Sequence, residues 1–258
     1  MKYICTFLVL IFTVSCIGSG DLYYQSLQKD QEIPSDKGQL DHSQWDQLLN
    51  KHVNEEGFVD YDGMEEDRSA LKEYLTYLGT NPPQKSWSIS EQFAYYINLY
   101  NAATVEIILE NDQPGSIKDI GSTLNPVWIQ DFIKVGKKDY SLADIEKSVL
   151  QKMGDPRIHF AINCASYSCP KLMNKAYTAE NVDQMMDQAA DDFVNSDKND
   201  LTDPNHPKLS SIFKFYPSDF KAGGLSIIEY VNQYADNKIN PGAELSYKDY
   251  DWSLNKQD

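Results

Sequence analysis

Residues 88–109 constrain the fold more than any other stretch. Ser88 and Glu91 have the spacing of a capping box, and from Gln92 to Leu109 apolar residues fall on almost every side of a 3.6-residue repeat. A helix that is apolar all round has to be covered all round, so this one is expected at the centre of the molecule. Asn98 and Asn101 are three apart and share one face of it. An unpaired buried amide costs about 1–3 kcal/mol. The two asparagines therefore either tie down neighbouring backbone or line a cleft.

The remaining pattern supplies the cover. Helical spacing recurs over 42–53, 64–78 and 141–153, and again from Val182 to Phe193 behind Thr178. Residues 131–140 read as a β-hairpin turning at Gly136, and 57–63 as a short strand between glycines. Further strands are expected around His159, over 208–216 and at the C-terminal 246–255. The class is α+β: the central helix packs on a small, mainly antiparallel sheet, with helices around it. His42 and His52 are expected at the surface or rim of the first helix, and His206 in an exposed charged loop. Residues 41–258 form a single domain in this reading, large enough for a real core.

The first 15 residues read as a secretory signal: one lysine, then an apolar run too short to span a bilayer in a mature protein. Thr13-Val14-Ser15-Cys16 resembles a lipobox, with Cys16 as the lipidated residue. Residues 16–40 are polar and poor in core side chains, and they read as a tether. No later stretch is apolar enough to cross a membrane. The chain is thus expected in the cell envelope, periplasm or outer-membrane surface, held to the membrane through lipid on Cys16. A formal net charge of −16 without a basic stripe disfavours nucleic-acid binding.

Residues 155–170 are where chemistry is to be sought. They hold His159 and the two cysteines beyond the leader and Cys16, namely Cys164 and Cys169. Ile158, Phe160 and Ile162 alternate with Arg157, His159 and Ala161 as on a strand, and the small polar run that follows has to turn at Pro170. Three readings stay open. Cys164 or Cys169 is a nucleophile with His159 as base and Asn98, Asn101 or Glu146 orienting the ring. The two cysteines form a disulfide, structural or redox-active, as envelope proteins favour. Or His159, Cys164 and Cys169 bind a metal, although neither CxxC nor HExxH spacing is present. Nucleotide-binding and serine-hydrolase signatures are absent, and no cofactor or metal is expected.

The run Tyr95-Tyr96-Ile97-Asn98-Leu99-Tyr100-Asn101-Ala102, the pair Ile145-Glu146 and residues 157–170 resemble the family known as domain of unknown function 547. The segment 211–216 with Asp219-Phe220, and the terminal 250–255, fit it too. The resemblance runs from about Trp45 to the C-terminus. It implies a distant likeness to papain-like and transglutaminase-like folds, hence a thiol hydrolase or acyltransferase acting on amide bonds of a peptide or cell-wall-type substrate. Two departures matter: the central helix carries no cysteine near its start, and Lys147 stands where the family usually has a histidine. The alternative is a non-catalytic envelope module.

Overall fold

The computed structural model describes residues 22–28 and 31–257. The signal sequence and Cys16 lie outside them. Helices α1 (Ser43–His52), α2 (Tyr61–Glu66) and α3 (Arg68–Thr80) lead into α4 (Ile89–Glu110). The hairpin β1 (Ile133–Val135) and β2 (Lys138–Tyr140) precedes α5 (Leu142–Ile145), a π-helical turn Glu146–Leu150 and α6 (Gln151–Met153). Then come α7 (Ile158–Ala161), α8 (Val182–Val194), β3 (Lys208–Leu209), α9 (Ile212–Phe215), α10 (Pro217–Phe220), α11 (Ile227–Tyr234) and β4 (Ser246–Tyr247). The class is α+β.

α4 is the axis of the molecule, with every residue from Ile89 to Leu109 buried. Ser88 caps it, its hydroxyl accepting from the Glu91 N–H at 3.2 Å. The Glu91 carboxylate does not close the box. It turns outward and accepts the N–H groups of Gln39 and Leu40 instead. A large apolar cluster surrounds α4. A second, aromatic cluster built on Phe160, Phe193, Phe213, Phe220 and Tyr230 sits beside it.

The described part of the segment read as a tether lies against the domain. Gln25 N–H bonds to Gln92 Oε1 at 2.7 Å, Leu27 N–H to the Met153 carbonyl at 2.8 Å, and Ile33 is buried. The cause is on α4, whose buried polar groups Glu91, Gln92 and Tyr96 take backbone of 23–40 as partners.

The sheet expected as one piece is two separate ladders. β1 and β2 pair antiparallel, as the hairpin pattern predicts, while β3 and β4 pair parallel over two residues each. The expected strand 208–216 stops at Leu209 and becomes α9. Residues 57–63 make only isolated bridges, from Val59 to Val53 and to Lys256, before Asp60 accepts the Gly63 N–H and starts α2. His159 is on a short helix, not a strand. The Asp155 carboxylate accepts the Arg157 N–H at 2.9 Å and bends the chain into α7. Residues 158–162 are buried on every side, so their apolar alternation marks no sheet face. His42 and His52 are likewise buried rather than at the rim, since Tyr74 and Asp67 reach in to bond their rings at 2.7 Å each. His206 is exposed, as expected. Among the described residues no helix is long and apolar enough to cross a membrane.

Candidate functional site

The two asparagines of α4 set the site's back wall. Asn101 donates to the Ala161 carbonyl at 2.9 Å and accepts from the Asn163 N–H at 2.8 Å. Asn98 does the same for Tyr177, donating to its carbonyl at 2.7 Å and accepting from its N–H at 3.1 Å. Each amide is spent on backbone in both directions, as one rung of a ladder would be. Among the described residues, neither side chain lines the two cavities beside the cysteine loop. Asn101 instead fixes the chain immediately before Cys164.

Beyond that point the chain turns sharply. Asn163 staples the turn: its oxygen accepts the Ala165 N–H at 2.8 Å and its amide donates to the Pro170 carbonyl at 2.7 Å. Ala165 takes a left-handed φ of 56°, uncommon for a residue with a Cβ. The C-terminal segment braces the loop from outside. Tyr167 N–H reaches the Ser253 carbonyl at 2.7 Å, Ser168 N–H the Asp251 carbonyl at 3.1 Å, and Asn255 N–H the Ala165 carbonyl at 3.2 Å.

This loop brings the two sulfurs together. Cys164 and Cys169 are free thiols with Sγ atoms 2.8 Å apart. Cys164 is half-buried and Cys169 buried. The Cys164 sulfur also lies 3.1 Å from Ser166 Oγ and 3.3 Å from the Tyr250 hydroxyl, and the Cys164 N–H points at Cys169 Sγ at 3.0 Å. The hydrogen bond from Cys169 holds the Cys164 thiol below its ordinary range, helped by Ser166 and Tyr250 and opposed by burial. Cys169 is pushed well up, by burial first and then by its bond to Cys164. Burial and the neighbouring sulfurs also raise Tyr250, which keeps its proton and so remains a donor.

Two carboxylates in different settings belong to the site, Glu146 in the cavity with Cys164 and Asp219 bonded to His159. Glu146 opens the π-helical turn, an irregularity common at functional sites. It is buried and accepts from the Tyr216 hydroxyl at 2.8 Å and the Tyr100 hydroxyl at 3.4 Å. Burial first, and then the Glu146 charge, raise both tyrosines, so both stay protonated. Asp219 accepts from His159 Nε2 at 2.7 Å, and this bond holds its carboxyl below the usual range. The imidazole stacks on Tyr216 with centroids 3.9 Å apart. With Nε2 donating to Asp219, Nδ1 is the nitrogen left to take or give a proton.

His159, Cys164, Cys169 and Glu146 line one cavity of about 200 Å³, walled by Trp128, Tyr250 and Trp252 and with Lys147 at its edge. Among the described residues no hydrogen bond joins His159 to either sulfur, and no group of three or more acidic, histidine or cysteine side chains is placed to hold a metal. A second cavity, about 410 Å³, opens on the other side of the loop, and Cys169 lines both. Sequence reasoning did not single out Asp219, Tyr216, Tyr250, Ser166 or Asn163 as site residues. Asp219, Tyr216 and Tyr250 do fall in the segments that carry the family resemblance.

Residues 84–194 match the family model described as "Protein of unknown function, DUF547". The matched stretch holds α4, Glu146, His159 and both cysteines. Tyr216, Asp219 and Tyr250 come from outside it. No curated protein and no solved structure matches the chain, so the papain-like and transglutaminase-like likeness gains no support from comparison.

Proposed function

We propose that this protein is an envelope lipoprotein, anchored through Cys16, that works as a thiol-dependent hydrolase or acyltransferase on amide bonds of a peptide or cell-wall-type substrate, with Cys164 as nucleophile. The supporting observation is the setting of that thiol: half-buried, held by Cys169, Ser166 and Tyr250, and in the same cavity as His159, whose ring is bonded to Asp219 at 2.7 Å. Cys164 Sγ attacks the carbonyl carbon, forming a C–S bond. The C–N bond breaks, and the amine leaves with a proton. Water or an acceptor amine then cleaves the thioester and returns the thiol. Tyr250, a donor beside the sulfur, holds the thiolate. His159 moves the proton, with Asp219 fixing its tautomer and supporting its positive charge. Glu146, clasped by two tyrosines, presents negative charge toward the amine side. The aromatic walls suit a flat or apolar group next to the scissile bond.

A nitrophenyl ester tests the reading. The expected result is a burst near one equivalent of nitrophenol and an acyl adduct that maps to Cys164 by mass spectrometry. Cys164→Ser abolishes the adduct, and His159→Ala slows its formation at neutral pH. Wild-type protein that is folded and reduced yet never acylated at Cys164 would end the hydrolase reading. The second reading, a non-catalytic envelope module, is favoured by the close approach of the two sulfurs, and an inert Cys164–Cys169 disulfide in native protein is its signature.

A further inference from the structure

The sulfurs do more in this geometry than acyl transfer needs. A lone nucleophile requires one thiol, a base and a donor. Here a second thiol, Cys169, already touches the first at 2.8 Å without any movement of the loop. The two differ in exposure: Cys164 is half-buried, whereas Cys169 is buried, although it lines this cavity and the one on the other side of the loop. Cys164, the more exposed sulfur, is the one a bulky disulfide meets first. The loop between them is rigid in its making, closed at its base by Asn163 and braced by backbone bonds from 251–255. The Cys164 N–H, aimed at Cys169 Sγ at 3.0 Å, is a fixed donor for negative charge on that second sulfur.

We propose that Cys164 and Cys169 are a thiol–disulfide exchange pair, with Cys164 the attacking thiol, Cys169 the resolving thiol, and a small-molecule or peptide disulfide as the substrate. In the first step the Cys164 thiolate attacks one sulfur of R–S–S–R, forming a Cys164–S–S–R bond and expelling RS⁻. In the second, Cys169 attacks Cys164 Sγ, closes the Cys164–Cys169 disulfide and releases the other half as a second thiolate. The Cys169 proton passes through solvent to the leaving group. The protein dithiol loses two electrons and the substrate gains them, and a dithiol reductant runs the cycle back. The opposite displacements of the two thiols, Cys164 down and Cys169 up, suit an attacker that is ready and a resolver that waits. Cys164 is the attacking atom here as in the acyl-transfer reading, but this proposal needs neither His159 nor an acyl substrate.

Oxidised glutathione is the probe, with intact-mass and peptide-mass readouts on the reduced full chain. Wild type is expected to release two equivalents of reduced glutathione and end with a Cys164–Cys169 bond and no lasting adduct. Cys169→Ser should stop midway, with glutathione held on Cys164. Cys164→Ser should react at least about tenfold more slowly, because only the buried thiol remains. Limiting iodoacetamide on wild type gives the same order of reactivity without any substitution, Cys164 before Cys169. A stable glutathione adduct on wild-type Cys164 overturns the proposal, as does first reaction at Cys169. The two proposals separate in the wild type alone. Ring closure without an acyl adduct keeps this one and loses the hydrolase, and an acyl adduct without ring closure does the reverse.

Discussion

Two buried polar regions lie on either side of residues 161–163, and they use their hydrogen bonds in opposite ways. On the α4 side, Asn98 and Asn101 each give and take one backbone hydrogen bond and line neither of the cavities beside the cysteine loop. On the far side, Cys164 and Glu146 are held mainly by side-chain hydroxyls and a second thiol, and they face open space. The first arrangement is scaffold: removing an amide strands two backbone groups that have no water to turn to. The second is a poised site, because a hydroxyl can rotate toward a substrate and a backbone carbonyl cannot. Buried polarity alone therefore does not mark a functional residue. What its partners are, and whether space adjoins it, does.

The contrast breaks first at Asn101. Asn101→Ala leaves the Ala161 carbonyl and the Asn163 N–H unpaired, and urea unfolding should show a loss of about 2–5 kcal/mol at one or more kcal/mol per stranded group. A loss no greater than that of Ser166→Ala would put both regions on the same footing. On the scaffold side, His42 repeats the contrast with a titratable ring. His42 bonds to Tyr74, its Nε2 has no partner among the described residues, and burial holds it down at about 4 from an ordinary 6.5. A depressed histidine favours the folded chain above pH 6.5. As pH falls the unfolded chain takes up the proton first, so this stability drains away until the folded group titrates near 4. The total is on the order of 3 kcal/mol. In His42→Gln that share of the pH dependence should vanish, and melting curves for wild type and variant that run parallel from pH 7 to 4 would contradict it.

Tyr250→Phe sharpens the other side. It removes one donor from the Cys164 thiolate, so iodoacetamide labelling at neutral pH should slow by roughly three- to tenfold while stability changes by no more than about 1 kcal/mol. A large stability loss with unchanged labelling would make Tyr250 scaffold after all. The smallest stability effect belongs to Asp219→Asn, because the His159–Asp219 pair is partly open to solvent and such pairs contribute about 1 kcal/mol or less. Its carboxyl is depressed, so that contribution is present above the ordinary carboxylate range and lost as pH falls through it. The informative readout for this variant is the pH profile of Cys164 acylation, which should shift while the melting temperature hardly moves.

Local pattern made much of the frame legible. Ser88 and the apolar run behind it placed α4, the turn at Gly136 placed the hairpin, and Val182, Met185, Met186 and Phe193 placed α8. The site was legible only in part, because its decisive contacts are distant in sequence. Tyr250 meets Cys164 across 86 positions and Asp219 meets His159 across 60, and no periodicity reaches that far. The α7 segment misled for a different reason. When every side of a segment is buried, two-residue alternation and helical spacing carry no information about which backbone is present. His42 and His52 misled because their spacing put them on a helix without revealing that Tyr74 and Asp67 stand opposite.

The brace on the cysteine loop has a consequence for how the chain is made. Ser168 and its partner Asp251 are 83 positions apart, so a growing polypeptide delivers both thiols long before it delivers what holds them in place. During that interval the sulfurs sit on a turn that lacks its C-terminal supports. A chain cut short before residue 250 would carry both thiols without the contacts that hold their loop in place.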